Sequence, residues 1–167
     1  MDTSERKSML LSRHARKEID HWIAKFPEGK QRSAVISALR IVQHENEGFL
    51  TPELMDGVAE YLDLPAIQVY EVATFYSMFV TKRVGRHSIS VCTNIACMLC
   101  GSDRIVEHIE KKLGIKTGES TPDGKFYLKR EEECLAACVG APMMMLDHKY
   151  YEHLTPDKVD KILDKVE

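Results

Sequence analysis

The chain has no apolar run approaching the ~20 residues that a membrane-crossing helix needs, so direct membrane insertion is not expected. It lacks a large excess of either charge: 23 Lys and Arg stand against 26 Asp and Glu, a formal net charge of -3 over 167 residues. That balance argues against nucleic acid as the main partner, because binding a polyanion rests on basic surface. The opening stretch "MDTSERKSMLLSRHARKEID" has no apolar core of a secretory signal. Asp2, Glu5, Glu18 and Asp20 are wrong for a mitochondrial transit peptide. Neither an internal repeat nor a low-complexity tract is present. These absences lead to the expectation of a cytoplasmic protein.

Five cysteines are present, and three of them crowd into "CTNIACMLC" at residues 92–100. Cytoplasmic thiols stay reduced, so metal or redox chemistry explains them better than structural disulfides. An odd count leaves one cysteine over in any paired or four-ligand scheme.

Residues before about 84 read as helices. Leu11, Ala15, Ile19, Trp22 and Phe26 recur at helical spacing, and "PEG" at 27–29 stops that run. A second helix is predicted from Arg32 to Glu47, with Val35, Ile36, Leu39 and Val42 on one face. "TPEL" at 51–54 supplies an N-cap, a proline at the first helical position and an acidic residue in the first turn. Pro65 opens a fourth helix that carries Ile67, Tyr70, Ala73, Phe75, Tyr76 and Phe79. Four short helices with short connections predict a small bundle over 1–84.

The rhythm then changes, after the polar "TKRVGRH" at 81–87. "HSISV" (87–91), "KFYLK" (125–129), "PMMML" (142–146) and Tyr150–Tyr151 read as strands. Helices are expected after Ser102, as an N-cap, and over "TPDKVDKIL" at 155–163. A thioredoxin-like α/β domain over 85–167 fits this order, giving an α+β chain in two parts.

The cysteines admit several parsings. Cys97 and Cys100 form a C-x2-C, as in a dithiol redox site. Cys92, Cys97 and Cys100 together have plant-type ferredoxin spacing. The third parsing joins Cys92 and Cys97 to the C-x3-C of Cys134 and Cys138 in "CLAAC". Both of those pairs follow predicted strands, and strand exits converge at one end of a parallel βαβ unit. Four thiolates meeting there suit a [2Fe–2S] cluster, because soft sulfur matches iron. The small residues of "CLAACVGA" let the main chain approach such a group. Tetrahedral zinc accepts the same four thiolates, so a zinc-stabilised interaction module stays open beside the cluster and the dithiol. No Cys-x-His pattern is present, which speaks against a Rieske site.

"CTNIACMLCG", "ECLAACVGAPMM" and "LTPDKV" resemble the thioredoxin-like [2Fe–2S] ferredoxin family. "FPEGKQRSAVISALRIVQ", "GFLTPELMDGVAEYLDLP" and "VYEVATFYSMF" resemble its branch in bacterial NADH-quinone oxidoreductase, complex I. The resemblance implies a helical N-terminal part, then a domain whose cluster is held by Cys92, Cys97, Cys134 and Cys138. It implies docking on a subunit that binds FMN and NADH, electron exchange with that flavin, and further iron–sulfur subunits in the complex. It implies no complete active site on this chain and a place peripheral to the inner membrane. Related proteins serve as the small diaphorase subunit of NAD-linked hydrogenases and formate dehydrogenases. One departure is Cys100, which stands where the family often has arginine.

Other residues have plainer readings. "EVATFYSMF" (71–79) is expected to be a buried helix with its aromatics in the core, and also a docking face. Met143, Met144 and Met145 are expected in strand core, one of them shielding the cluster. His87 and His148 are the histidines to look for near it. "REEE" at 130–133 reads as a solvated turn whose charge would oppose reduction of a nearby cluster.

Overall fold

A computed structural model describes residues 11–130 and 134–166. The chain divides into two compact units, Met1–Arg83 and Val84–Glu167.

In the first unit, α1 (Arg13–Ile23) is capped by Ser12, whose side chain accepts from the Ala15 N–H. It buries Ala15 and Ile19, while Trp22 and Phe26 pack half-buried at the margin. The predicted second helix is shorter than expected. A 3-10 turn at Gln31–Ala34 precedes α2 (Val35–Glu45). Its inner face is Val35, Ala38, Leu39 and Val42; Ile36 lies outside it at 36% exposure. The expected face was therefore off by one residue, because Ala38 completes the i, i+3, i+4 stripe from Val35. Helix α3 (Pro52–Tyr61) starts as the Thr-Pro pair predicts, with the Thr51 side chain accepting from the Leu54 N–H.

Helix α4 (Ala66–Phe75) corrects the sequence reading more sharply. Val69 and Ala73 are its buried residues, whereas Ile67 is 64% and Phe75 80% exposed. Tyr76 and Met78 are also exposed, and only Phe79 of these aromatics reaches the core. The aromatics of 71–79 are thus mainly surface. Among the described residues, four helices close around Ile19, Leu39, Leu50, Val58 and Val69, all without solvent exposure.

In the second unit, four strands form one sheet in the order β2-β1-β3-β4. Strand β1 (His87–Val91) is parallel to β2 (Phe126–Leu128) and antiparallel to β3 (Met144–Leu146), which pairs antiparallel with β4 (Lys149–Tyr151). Two helices lie between β1 and β2: α5 (Ile95–Leu99) and α6 (Ser102–Leu113). Helix α7 (Pro156–Leu163) follows the sheet, with Thr155 as its cap. Ile89, Val91, Met144 and Leu146 share a buried cluster with Ile105, Ile109, Val159 and Leu163, so α6 and α7 pack on the sheet.

Two local expectations are revised. The five-residue α5 was not foreseen, and Ser102 does not cap α6. Gly101 holds the cap position at φ 89, without a side-chain bond, and Ser102 is the first helical residue, fully buried. A left-handed residue is needed to turn the chain from α5 into α6, and glycine adopts that conformation without penalty.

Candidate metal centre

Cys92 directly follows β1. Its N–H bonds to the Met143 carbonyl at 3.1 Å, extending the β1–β3 ladder by one pair. Cys97 lies within α5, which starts at Asn94; the Asn94 side chain accepts from the Ile95 N–H at 2.9 Å. Cys138 opens a 3-10 turn, Cys138–Gly140, and Cys134 lies four residues upstream of it. Cys92 and Cys97 are buried, at 2% and 1% exposure; Cys134, Cys138 and Cys100 are exposed.

Cys92 interacts with Cys97 and Cys134, and Cys138 acts on Cys97 by charge. Burial works against a charge on Cys92, but the N–H groups of Leu135 and Asn94 and the thiols of Cys97 and Cys134 donate to its sulfur. The balance holds the Cys92 thiol below its ordinary value. Cys97 is pushed up to about 11, first by burial and then by its bond to Cys92; the Met143 N–H partly offsets this, and Cys92 and Cys138 also act on it by charge. The Ala136 N–H reaches the Cys134 sulfur at 3.3 Å. Each loop therefore supplies amides to sulfur, and Leu135 crosses from the second cysteine loop to a cysteine of the first. Among the described residues, no three His, Cys, Asp or Glu side chains close on one point tightly enough to hold an ion.

Met143 and Leu135 pack against Cys92 and Cys97 in a small buried cluster of their own. Met143, at 0% exposure, is buried with the thiols and the half-buried Met145 packs against the same cluster; Met144 belongs to the sheet core. Around the exposed edge stand Ile95, Met98 and Leu99 on α5 and Val139 beside Cys138, at 68%, 46%, 78% and 90% exposure. No charged residue occurs in 92–102 or 134–146. The donor set and its surroundings fit an anionic iron–sulfur group: soft ligands, amide donors aimed at sulfur, and an apolar wall.

Cys100 sits at the C-terminal end of α5, exposed, and forms no disulfide with the other cysteines. A buried Cys97 with a raised pKa is not a poised nucleophile, which weighs against a Cys97–Cys100 dithiol site. The two histidines stand elsewhere. His87 opens β1 and its Nδ1 lies 2.6 Å from Asp147 Oδ2, whereas the thiols lie beyond the opposite end of that strand. His148 follows Asp147 in the β3–β4 turn. Of "REEE", residues 131–133 lie outside the described residues, as do residues 1–10 of the N-terminal stretch. Main-chain donors around the group are expected from the small residues of "CLAACVGA", where Leu135 and Ala136 lie; that Asn94 and Met143 also donate carries no residue-type signal.

Residues 19–167 match the family described as thioredoxin-like [2Fe-2S] ferredoxin. A relative from Rickettsia conorii (strain ATCC VR-613 / Malish 7), named as a subunit of NADH-quinone oxidoreductase, is 49% identical over 145 residues. That alignment covers 87% of this chain and 86% of the relative. One from Rhizobium meliloti (strain 1021), also named as an NADH-quinone oxidoreductase subunit, is 42% identical over 149 residues, covering 89% and 86%. Among solved structures, an NAD+-reducing [NiFe]-hydrogenase in the air-oxidized state superposes with a TM-score of 0.66 at 19% identity. This covers 77% of the chain but only 22% of the hydrogenase chain, and it speaks for the fold alone.

Proposed function

This chain belongs to the thioredoxin-like [2Fe–2S] ferredoxin family, and from that premise we propose that it is an electron-transfer subunit of an NADH-quinone oxidoreductase. Cys92, Cys97, Cys134 and Cys138 hold a [2Fe–2S] cluster, and the partner is the subunit that binds NADH and FMN. The observation that carries this reading is the contact of the Cys92 thiol with those of both Cys97 and Cys134. It supports joining the two cysteine pairs in one site.

When bound, such a cluster accepts and returns single electrons. The chain's own residues set the conditions. The N–H groups of Asn94, Leu135, Ala136 and Met143 donate to sulfur and stabilise negative charge there. Met143 and Leu135 keep water from Cys92 and Cys97. Cys134 and Cys138 lie on the open side, where a partner's flavin can be approached. Among the described residues no helix is long and apolar enough to cross a membrane, so attachment to the inner membrane runs through other subunits of the complex.

The test is anaerobic reconstitution of the full chain with iron and sulfide. A brown protein with two irons per chain, a rhombic EPR signal on reduction, and NADH-driven reduction only when the flavoprotein partner is added are expected. A colourless protein carrying one zinc would end the electron-carrier reading.

A further inference from the structure

The three residues after β4 run alongside the loop that carries Cys138. Tyr151 pairs with Met144 in the β3–β4 ladder. Past that pair the His153 N–H bonds to the Gly140 carbonyl at 2.6 Å, and the Leu154 N–H bonds to the Pro142 carbonyl at 2.8 Å. The half-buried Glu152 lays its side chain across the buried Gly140. A Cβ at Gly140 would run into Cβ, Cγ and Cδ of Glu152. Gly140 is not among the glycines with positive φ, so close approach rather than backbone conformation is what glycine serves here. Gly140 also closes the 3-10 turn that Cys138 opens. Its N–H bonds to the Ala137 carbonyl, and the Ala141 N–H bonds to the Cys138 carbonyl. Segment 152–154 is itself fixed from behind. Leu154 is buried with Val159 and Leu163 of α7, and Lys158 Nζ donates to the Glu152 carbonyl at 2.5 Å. His153 stands at φ 48, a left-handed conformation that side chains seldom adopt.

We propose that Glu152, His153 and Leu154 form a strap that holds the Cys138 turn in place for the cluster, with Glu152, packed on Gly140, as its positioning residue. This rests on the assignment of Cys138 as a ligand. Cys92 and Cys97 are buried, one following β1 and the other within α5, and packing holds them. Cys138 is exposed, so its sulfur keeps its place only if its main chain does. The strap supplies that hold. Two main-chain bonds and one side chain tie the turn to the sheet and to α7. A ligand already in position binds more tightly, because less ordering remains to be done on binding. Glu152 acts through the main chain of the turn and does not ligate.

The experiment uses the full chain, reconstituted with ferrous iron and sulfide, as wild type, Gly140→Ala, Glu152→Gly and the double variant. Cluster loss into a chelator is followed by visible absorbance. Cysteine access in the loaded chain is read with iodoacetamide and peptide mass spectrometry. Gly140→Ala is expected to lose its cluster about tenfold faster than wild type, as changes to residues that orient a metal ligand do. Its EPR signal on reduction should shift, and Cys138 should label while Cys92 and Cys97 stay protected. Glu152→Gly removes the three atoms that the added methyl would meet, so the double variant is expected to regain slow loss. Glu152→Gly alone should fall between, since the bonds from His153 and Leu154 remain. Hydrogen exchange on the wild type needs no variant to fold. Loading should raise protection of the His153 and Leu154 amides by more than that of Leu163, at the far end of α7. A Gly140→Ala chain that holds its cluster like wild type overturns the proposal. So does a double variant no better than Gly140→Ala, or unchanged exchange at His153 and Leu154. A wild-type chain that takes up no cluster, or a Cys138→Ser chain that keeps it, overturns the ligand assignment, and the role of the strap with it.

Discussion

The backbone N–H of Cys92 is bonded to the carbonyl of Met143 at 3.1 Å, and the Met143 N–H in turn donates to the Cys97 sulfur. One residue thus ties the end of β1 to α5, and its side chain, wholly buried, covers both thiols. Truncating it leaves the backbone bonds in place but opens a void beside sulfur. Met143→Ala is expected to cost about 2–5 kcal/mol of stability, as other buried Met-to-Ala changes do. The loaded protein should also lose its cluster faster on dilution into chelator. Urea denaturation and the decay of visible absorbance measure the two effects.

The thiols differ in access, and loading should change that pattern. In the cluster-free chain Cys100, Cys134 and Cys138 are exposed while Cys92 and Cys97 are buried. Iodoacetamide should therefore label the first three quickly and the last two slowly, read by peptide mass spectrometry. In the loaded chain only Cys100 should remain reactive. Cys100→Ser should retain the cluster, and Cys138→Ser should lose it. Protection of Cys100 on loading would show that it has taken the place of one of the four.

Gly85 approaches the backbone of β2. A Cβ there would run into the Phe126 carbonyl and the Tyr127 N–H, both main-chain groups that cannot swing aside. Gly85→Ala is expected to cost about 1–3 kcal/mol, within the range for overpacking. Thermal unfolding measures this.

Helices α6 and α7 are joined by charge. The Asp160 carboxyl is held below its ordinary value by its bond to His108, at 2.8 Å, and then by Lys112. A depressed carboxylate contributes stability that is fully present above its unfolded pKa, near 4. That contribution is lost as pH falls through the lower, folded value. Asp160→Asn should lower the melting temperature at neutral pH only slightly, the pair being partly exposed, and flatten the acid limb of a stability–pH profile.

Two helix starts rest on one device. Thr51 and Thr155 each accept from the N–H three residues on, at 3.3 Å, with proline in the next position. Replacing either threonine by alanine should cost about 1 kcal/mol. Each loss should fall on its own unit, seen as reduced hydrogen-exchange protection of α3 or α7 respectively.

Much of this architecture was legible in the linear chain because its signals are local. The Thr-Pro starts, the alternation of "HSISV" and the spacing within each cysteine pair depend on neighbours within a turn or a strand. Their physics is backbone geometry and ligand chemistry. Other features depended on which surfaces meet. Phe75 and Ile67 look like core in sequence, yet α4 turns Val69 and Ala73 inward and leaves them outside. His87 is near Cys92 in the chain, yet a strand of extended backbone holds them apart. The sequence by itself determined most of the element types, the candidate thiols and the family. Only tertiary structure decided which amides point at which sulfur, that Met143 and Met145 rather than Met144 pack with the thiols, and that Ser102 is shut in with no partner among the described residues. Those relations arise between segments distant in the chain, where long-range packing sets orientation and no local pattern records it.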